Sequence, residues 1–197
     1  MSSEFSPHMT PDEISLLSYT LHEHCRVLEF GCGGSTQLFF EKGAKKLISI
    51  DSDALWLVNL LKNPLVNISR KYGKWTPLHA DIGEIGPWGF PAAEEPRIRW
   101  LRYHQDCWDY FPERTFECIL VDGRFRVACV CQSLLRCDTE ATRFAIHDFW
   151  NRPEYHVVLD FLDSVDRKDS LGIFRAKSDI DWRSLSLVLQ QHQFDAR

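Results

Sequence analysis

The sequence predicts an α/β fold: a doubly wound, mostly parallel sheet with helices on both faces and an antiparallel hairpin at its C-terminal end. Three observations carry this expectation. Short apolar runs recur at 25–30, 46–50, 116–121 and 143–146, and stretches with helical spacing separate them. The run VLEFGCGGST, at 27–36, leads an apolar segment into Gly31, Gly33 and Gly34, which reads as strand, glycine loop, helix. An acidic residue, Asp51, closes the second apolar run about 20 residues after that loop.

Taken in order, residues 1–10 are expected to be loosely ordered, and 11–197 to form a single domain. Pro11 and Asp12 start a helix that carries Ile14, Leu17 and Leu21 on one face. After the first strand and the glycine loop, Ser35 and Thr36 cap a helix that ends near Lys42, with Gly43 as its stop. Asp53 caps a further helix over 54–62, halted by Asn63-Pro64. Residues 66–71 and a run ending at His79 read as extended. Over 82–95, five glycines and prolines alternate with Trp88 and Phe90, which suits either a loop over a site or a connection whose aromatics pack on the core. A helix is expected over 97–110, then a strand at 116–121 that delivers Asp122-Gly123-Arg124. A helix over 125–137 leads to a strand at 143–146 ending in His147-Asp148. Tyr155, Val158, Leu159, Leu162 and Val165 make a helical stripe, and extended runs at 171–176 and 184–189 would form the hairpin.

With 197 residues, 44% of them hydrophobic and 13% aromatic, the chain can bury a full core. A net charge of -5 and a pI near 5.9 leave no broad basic surface, which speaks against a nucleic-acid substrate. No apolar run approaches the roughly 18 residues that span a bilayer, and the opening MSSEFSPHMTP has no charged segment followed by an apolar one. A soluble, cytoplasmic protein with no membrane partner is expected. Seven cysteines, an odd number spread through strands and helices, read as reduced thiols. Cys129 and Cys131 would point about 200° apart on a helix, and His22, Glu23, His24 and Cys25 lack a second half of a ligand set, so neither group reads as a metal site. Nothing in the sequence indicates an oligomeric state.

The E-x-G-x-G-G run from Glu29 to Gly34, Asp51 beyond it, and the run His79-Ala80-Asp81-Ile82 together resemble the class I S-adenosylmethionine-dependent methyltransferases, over residues 25–148. The resemblance implies roles. Gly31, Cys32 and Gly33 would lie against the methionyl portion of the cofactor, and Asp51 would accept from the ribose hydroxyls. Asp81 and the Ile82 backbone would address the adenine, while Glu29 would brace the loop or meet the methionyl amine through water. A nicotinamide-binding Rossmann unit is the competing reading of the loop, but its G-x-G-x-x-G fingerprint wants glycine where Thr36 stands.

Asp122 with His147-Asp148 is similar to the acidic set of the metal-dependent O-methyltransferases that act on catechols and macrolide sugars. That resemblance implies Mg²⁺ on Asp122 and Asp148, lowering the pKa of a bound hydroxyl. His147 departs from the pattern, since a hard, water-rich ion prefers oxygen. As alternatives, His147 serves as general base or only satisfies a loop carbonyl. Arg124, Arg126 and Arg152 lie close by in sequence and can hold an anionic substrate group or pair with local carboxylates. The expected function is S-adenosylmethionine-dependent methyl transfer to oxygen on a small-molecule or sugar-like acceptor, with His147, Asp122 and Asp148 as catalytic residues. A non-catalytic cofactor-binding or scaffold domain of the same fold is the second reading. An NAD-dependent oxidoreductase, which would want the missing third glycine and a Tyr-x-x-x-Lys pair, is the third.

Overall fold

The computed structural model describes residues 5–93 and 96–197. The apolar runs become strands with helical layers on both sides, as their near-continuous hydrophobicity requires. β1 (Arg26–Phe30), β2 (Lys46–Asp51), β3 (Trp75–His79), β4 (Cys118–Val121) and β5 (Arg143–Ile146) run parallel. β6 (Leu162–Lys168) and β7 (Leu171–Ala176) add an antiparallel hairpin, and the sheet order is β3-β2-β1-β4-β5-β7-β6. Phe30 pairs with Ile50 on one side and Val121 on the other, so the carboxyl ends of the three central strands come level. Strand order reverses between β1 and β4, which opens a crevice at that edge.

Among the described residues, seven helices surround the sheet: α1 (Pro11–Thr20), α2 (Gly34–Glu41), α3 (Ala54–Leu60), α4 (Pro64–Lys71), α5 (Leu101–His104), α6 (Arg126–Arg136) and α7 (Trp182–His192). Side chains alternate across the strands, so Val27, Leu47 and Leu120 join the core beneath α2, whereas Leu28, Ile48 and Ile119 join the core beneath α6. The first N–H groups of α6, which have no partner within the helix, are taken by the carbonyls of Ala196 and Arg197.

Four elements differ from the sequence expectation. Residues 66–71 are helical: Asn63 accepts from the Leu65 and Val66 amides and Pro64 occupies the first turn, so the dipeptide that stops α3 also starts α4. The helix expected over 97–110 is broken into two 3₁₀ turns flanking α5. There the Trp108 indole takes the His104 carbonyl, removing it from the helical ladder, and Trp100, Tyr103 and Trp108 are all buried. The stripe from Tyr155 splits into a 3₁₀ segment, Pro153–Asp160, and the edge strand β6, whose exposed face carries charges that suit a sheet edge. Residues 184–189 belong to α7, capped by Asp181, with Leu185, Val188 and Leu189 on its buried side. The hairpin therefore forms from β6 and β7 around Asp169-Ser170.

Residues 5–10 also depart from the loose order expected of them. Phe5 is buried in the core with Leu17 and Phe39, and Thr10 forms a reciprocal capping box with Glu13. The adjoining residues Ser6 and Pro7 lie against Gly34, where a Cβ would fall 2.1 Å from the Pro7 nitrogen.

Candidate functional site

A cleft of about 1280 Å³ opens over the carboxyl ends of β1, β2, β4 and β5. That exceeds the roughly 300–1,000 Å³ typical of a site for one small ligand, so it has room for two. Its floor is the glycine loop, where Gly31 adopts φ +85° and a Cβ there would lie 2.5 Å from Gly123. The ends of β1 and β4 thus approach backbone to backbone. Gly33 differs: the nearest atom to a Cβ there, on the Trp56 ring, is 3.9 Å away, so the main chain is open to a ligand.

Asp51 lies in this cleft. Its Oδ2 accepts from the Cys32 amide at 3.0 Å and its Oδ1 from the Asp53 amide at 2.9 Å. Burial pushes its carboxyl up, against the lowering effect of those amides. A desolvated carboxylate with lone pairs to spare suits hydroxyl donors. Cys32 also lines the cleft, and burial with the charge of Asp51 raises its thiol well above the ordinary range, so it is no nucleophile.

Two of the residues expected at the cofactor, Asp81 and Ile82, are placed elsewhere, and of the two roles expected of Glu29 its contacts match the loop brace and not the methionyl amine. Glu29 is fully buried and accepts from Ser35, from Thr36 at 2.8 Å and from Ser49 at 2.7 Å, with Trp75 donating in turn to Ser49. It braces the loop from beneath. Asp81 pairs with Arg99, and with Arg102 at 3.2 Å, which holds its carboxyl below the usual range, and Ile82 is buried in the core. Neither lines the cleft.

Pro87, Trp88, Gly89 and Phe90 form one wall. Gly89 has φ +67° and its carbonyl accepts from Ser52 at 2.9 Å, which pins this segment beside Asp51. Trp88 is 78% exposed and its ring meets His8 across the cleft, whereas Trp75, Trp100 and Trp108 belong to the core. Glu94 and Glu95, the end of the stretch expected to cover a site, fall outside the described residues.

Asp122, His147 and Asp148 do converge, with ligand-capable atoms within 4.8 Å of one another. The group is already compensated. Arg126, only 3% exposed, places its guanidinium 3.1 Å from Asp148 and 3.4 Å from Asp122, and it donates to the carbonyls of Gly123 and His147. His147 points Nδ1 at Asp122, 2.8 Å away, and Nε2 at Glu13, 3.4 Å away. Burial lowers its pKa, but the Asp122 hydrogen bond and the charges of Asp122, Asp148 and Glu13 outweigh this and raise it. The arrangement does not fit a divalent ion: a fixed cation stands between the two carboxylates, and both imidazole nitrogens already face carboxylates rather than standing free as ligands. The same geometry leaves His147 no unengaged nitrogen for general base work.

Sequence reasoning missed Glu13. Its Oε1 accepts from the Ser170 amide and hydroxyl and from the Leu171 amide, so α1 is tied to the β6–β7 turn behind His147. The run Thr10-Pro11-Asp12-Glu13 carried a readable signal, the capping box. The residue's tertiary partners carried none.

No family model and no curated protein matches the sequence. Among solved structures, the chain is similar over 100% of both chains to a methyltransferase-like protein from Silicibacter pomeroyi, with 25% identity and a TM-score of 0.82. It is also similar to the C-terminal domain of precorrin-6Y C5,15-methyltransferase from Rhodobacter capsulatus (11% identity, 87% and 89% coverage, TM-score 0.53). An rRNA methylase from Streptococcus thermophilus (12%, 87% and 99%, TM-score 0.51) shares the fold as well. The chain has the class I methyltransferase fold. The seven-stranded order with its terminal antiparallel hairpin is the architecture of that class.

Proposed function

We propose that this protein is an S-adenosylmethionine-dependent methyltransferase acting on oxygen of a small-molecule acceptor. The observation that carries the reading is the pairing, within one cleft, of an open main chain at Gly33 with the desolvated Asp51 carboxylate. Gly31, Cys32 and Gly33 would hold the methionyl portion and Asp51 the ribose hydroxyls, with Trp88 and Phe90 walling the nucleoside. The cofactor supplies a methyl group made electrophilic by its sulfonium, so the chain's task is alignment and exclusion of water. The contacts of the Asp122 carboxylate among the described residues fall on Oδ1, so Oδ2 is the atom to accept the acceptor hydroxyl's proton. Arg126 and His147 position that carboxylate, and no step passes through a metal ion.

A net charge of -5 supports a small acceptor over a nucleic-acid one, although the fold is shared with an rRNA methylase. Seven free thiols, five of them buried, support a reducing, cytoplasmic setting, and no helix among the described residues is long and apolar enough to cross a membrane. A non-catalytic cofactor-binding domain is the second reading, favoured by the engagement of both nitrogens of His147.

Calorimetric titration with S-adenosylmethionine, S-adenosylhomocysteine and NAD, with and without Mg²⁺, tests the cofactor. Binding of the first two alone, indifferent to Mg²⁺ and weakened about tenfold or more by Asp51→Ala, is expected. Unchanged affinity in that variant would mean the ribose site is misplaced. Transfer of a labelled methyl group then separates the enzyme from the scaffold reading.

A further inference from the structure

Of the cationic side chains around the acceptor end of the cleft, one has no carboxylate partner among the described residues. Glu13, Asp122 and Asp148 are matched by His147, Arg126 and Arg152, each of which lies within 4 Å of at least one of these carboxylates. Arg124, which lines the same cleft, pairs with no carboxylate among the described residues. Its guanidinium rests over the Phe90 ring at 5.7 Å, and its Nε is buried with no hydrogen-bond partner. Burial and the neighbouring charge of Arg126 pull its pKa below the ordinary arginine value, and Arg152 adds to this. A desolvated cation beside two other cations, with a donor left unused, is costly in the free protein. An oxyanion delivered into the cleft relieves both terms, because guanidinium forks bind carboxylate and phosphate in charge-assisted pairs.

We propose that Arg124, with Arg152 beside it, binds an oxyanion carried by the methyl acceptor, so that the acceptor is an anionic small molecule bearing a carboxylate or a phosphate. The inference rests on the methyltransferase reading above. Arg124 lies two residues beyond Asp122 on the same turn, which places the anion site next to the carboxylate that would receive the acceptor's proton. Arg152 is partly committed, to Asp148 at 3.1 Å and to the Tyr155 hydroxyl at 3.1 Å, so Arg124 supplies the unspent charge.

The test uses the full chain at low ionic strength and titrates inorganic phosphate and, separately, benzoate into protein saturated with S-adenosylhomocysteine. Saturable binding of at least one is expected, with the stronger of the two identifying the class of oxyanion. Arg124→Ala should weaken that binding about tenfold or more and Arg124→Lys less, while S-adenosylhomocysteine affinity changes by less than about twofold. Removing a half-buried cation with no carboxylate partner should leave the melting temperature equal or higher. No saturable anion binding, or equal binding by the wild type and Arg124→Ala, overturns the proposal. A lower melting temperature with unchanged anion affinity also overturns it, by making Arg124 structural. Failure of S-adenosylhomocysteine to bind would instead remove the cofactor reading, and the anion titrations, repeated without it, still decide Arg124.

Discussion

Glu13, on the first helix, lies 3.4 Å from the Nε2 of His147 at the end of β5. The contact makes an N-terminal helix part of the acidic end of the cleft. It also sets His147 between two carboxylates, since Asp122 holds the other ring nitrogen.

Glu13→Gln should therefore lower the His147 midpoint. The folded value is raised, so the stability from protonating His147 is fully present below about pH 6.5 and is lost as pH rises through the folded value. Imidazole proton shifts followed by NMR across pH 5–9 measure the midpoint directly. Glu13 itself is pushed up by burial, but the Ser170 hydroxyl and the Thr10 and Ser170 amides outweigh this and lower it. The variant loses acceptor capacity there and should be destabilised by about 1–3 kcal/mol. An unmoved His147 midpoint would show that the Glu13 charge does not reach the ring.

Glu29 gives a second pH signature. Burial pushes it from 4.5 up to about 7, against hydrogen bonds from Ser35, Ser49 and Thr36. An acid raised on folding favours the folded state while protonated, so its contribution is full below about pH 4.5 and disappears as pH rises through about 7. Glu29→Gln removes the titration and keeps the shape. Urea denaturation of both proteins should show the wild type losing about 3 kcal/mol relative to the variant between pH 4 and pH 9. Parallel stability profiles would mean that Glu29 ionises freely.

The segment before α1 can be tested through Gly34. A Cβ there would fall 2.1 Å from the Pro7 nitrogen and 2.2 Å from the Ser6 carbonyl carbon, whereas alanine suits the first turn of α2. Gly34→Ala should leave the helical circular dichroism intact and cost about 1–3 kcal/mol, because the bulk is forced against packed backbone. Amide exchange over residues 5–10 should accelerate. Retained protection there would show that the segment adjusts without leaving the loop.

What could be read in the chain was whatever depends on neighbours in sequence. Apolar runs, the glycine loop, the spacing to Asp51 and the polar residues at strand ends are local patterns, and they specified the parallel sheet and the place of the cleft. The sequence also marked Asp122, His147 and Asp148 as a group, because strand ends in such a sheet must converge. Local signals failed where one stretch suits two elements: 66–71 is rich in apolar and polar residues that pattern either way, and only the Asn63 cap tips it to helix. The chemistry of the acidic group was decided by contacts that no local pattern encodes. Glu13 meets Ser170 across 157 positions, Arg126 enters between two carboxylates from the following helix, and Asp81 is drawn to Arg99 and away from the cleft. Charge pairing depends on distance in space and on loss of solvent, and both arise only once the sheet has brought those ends together.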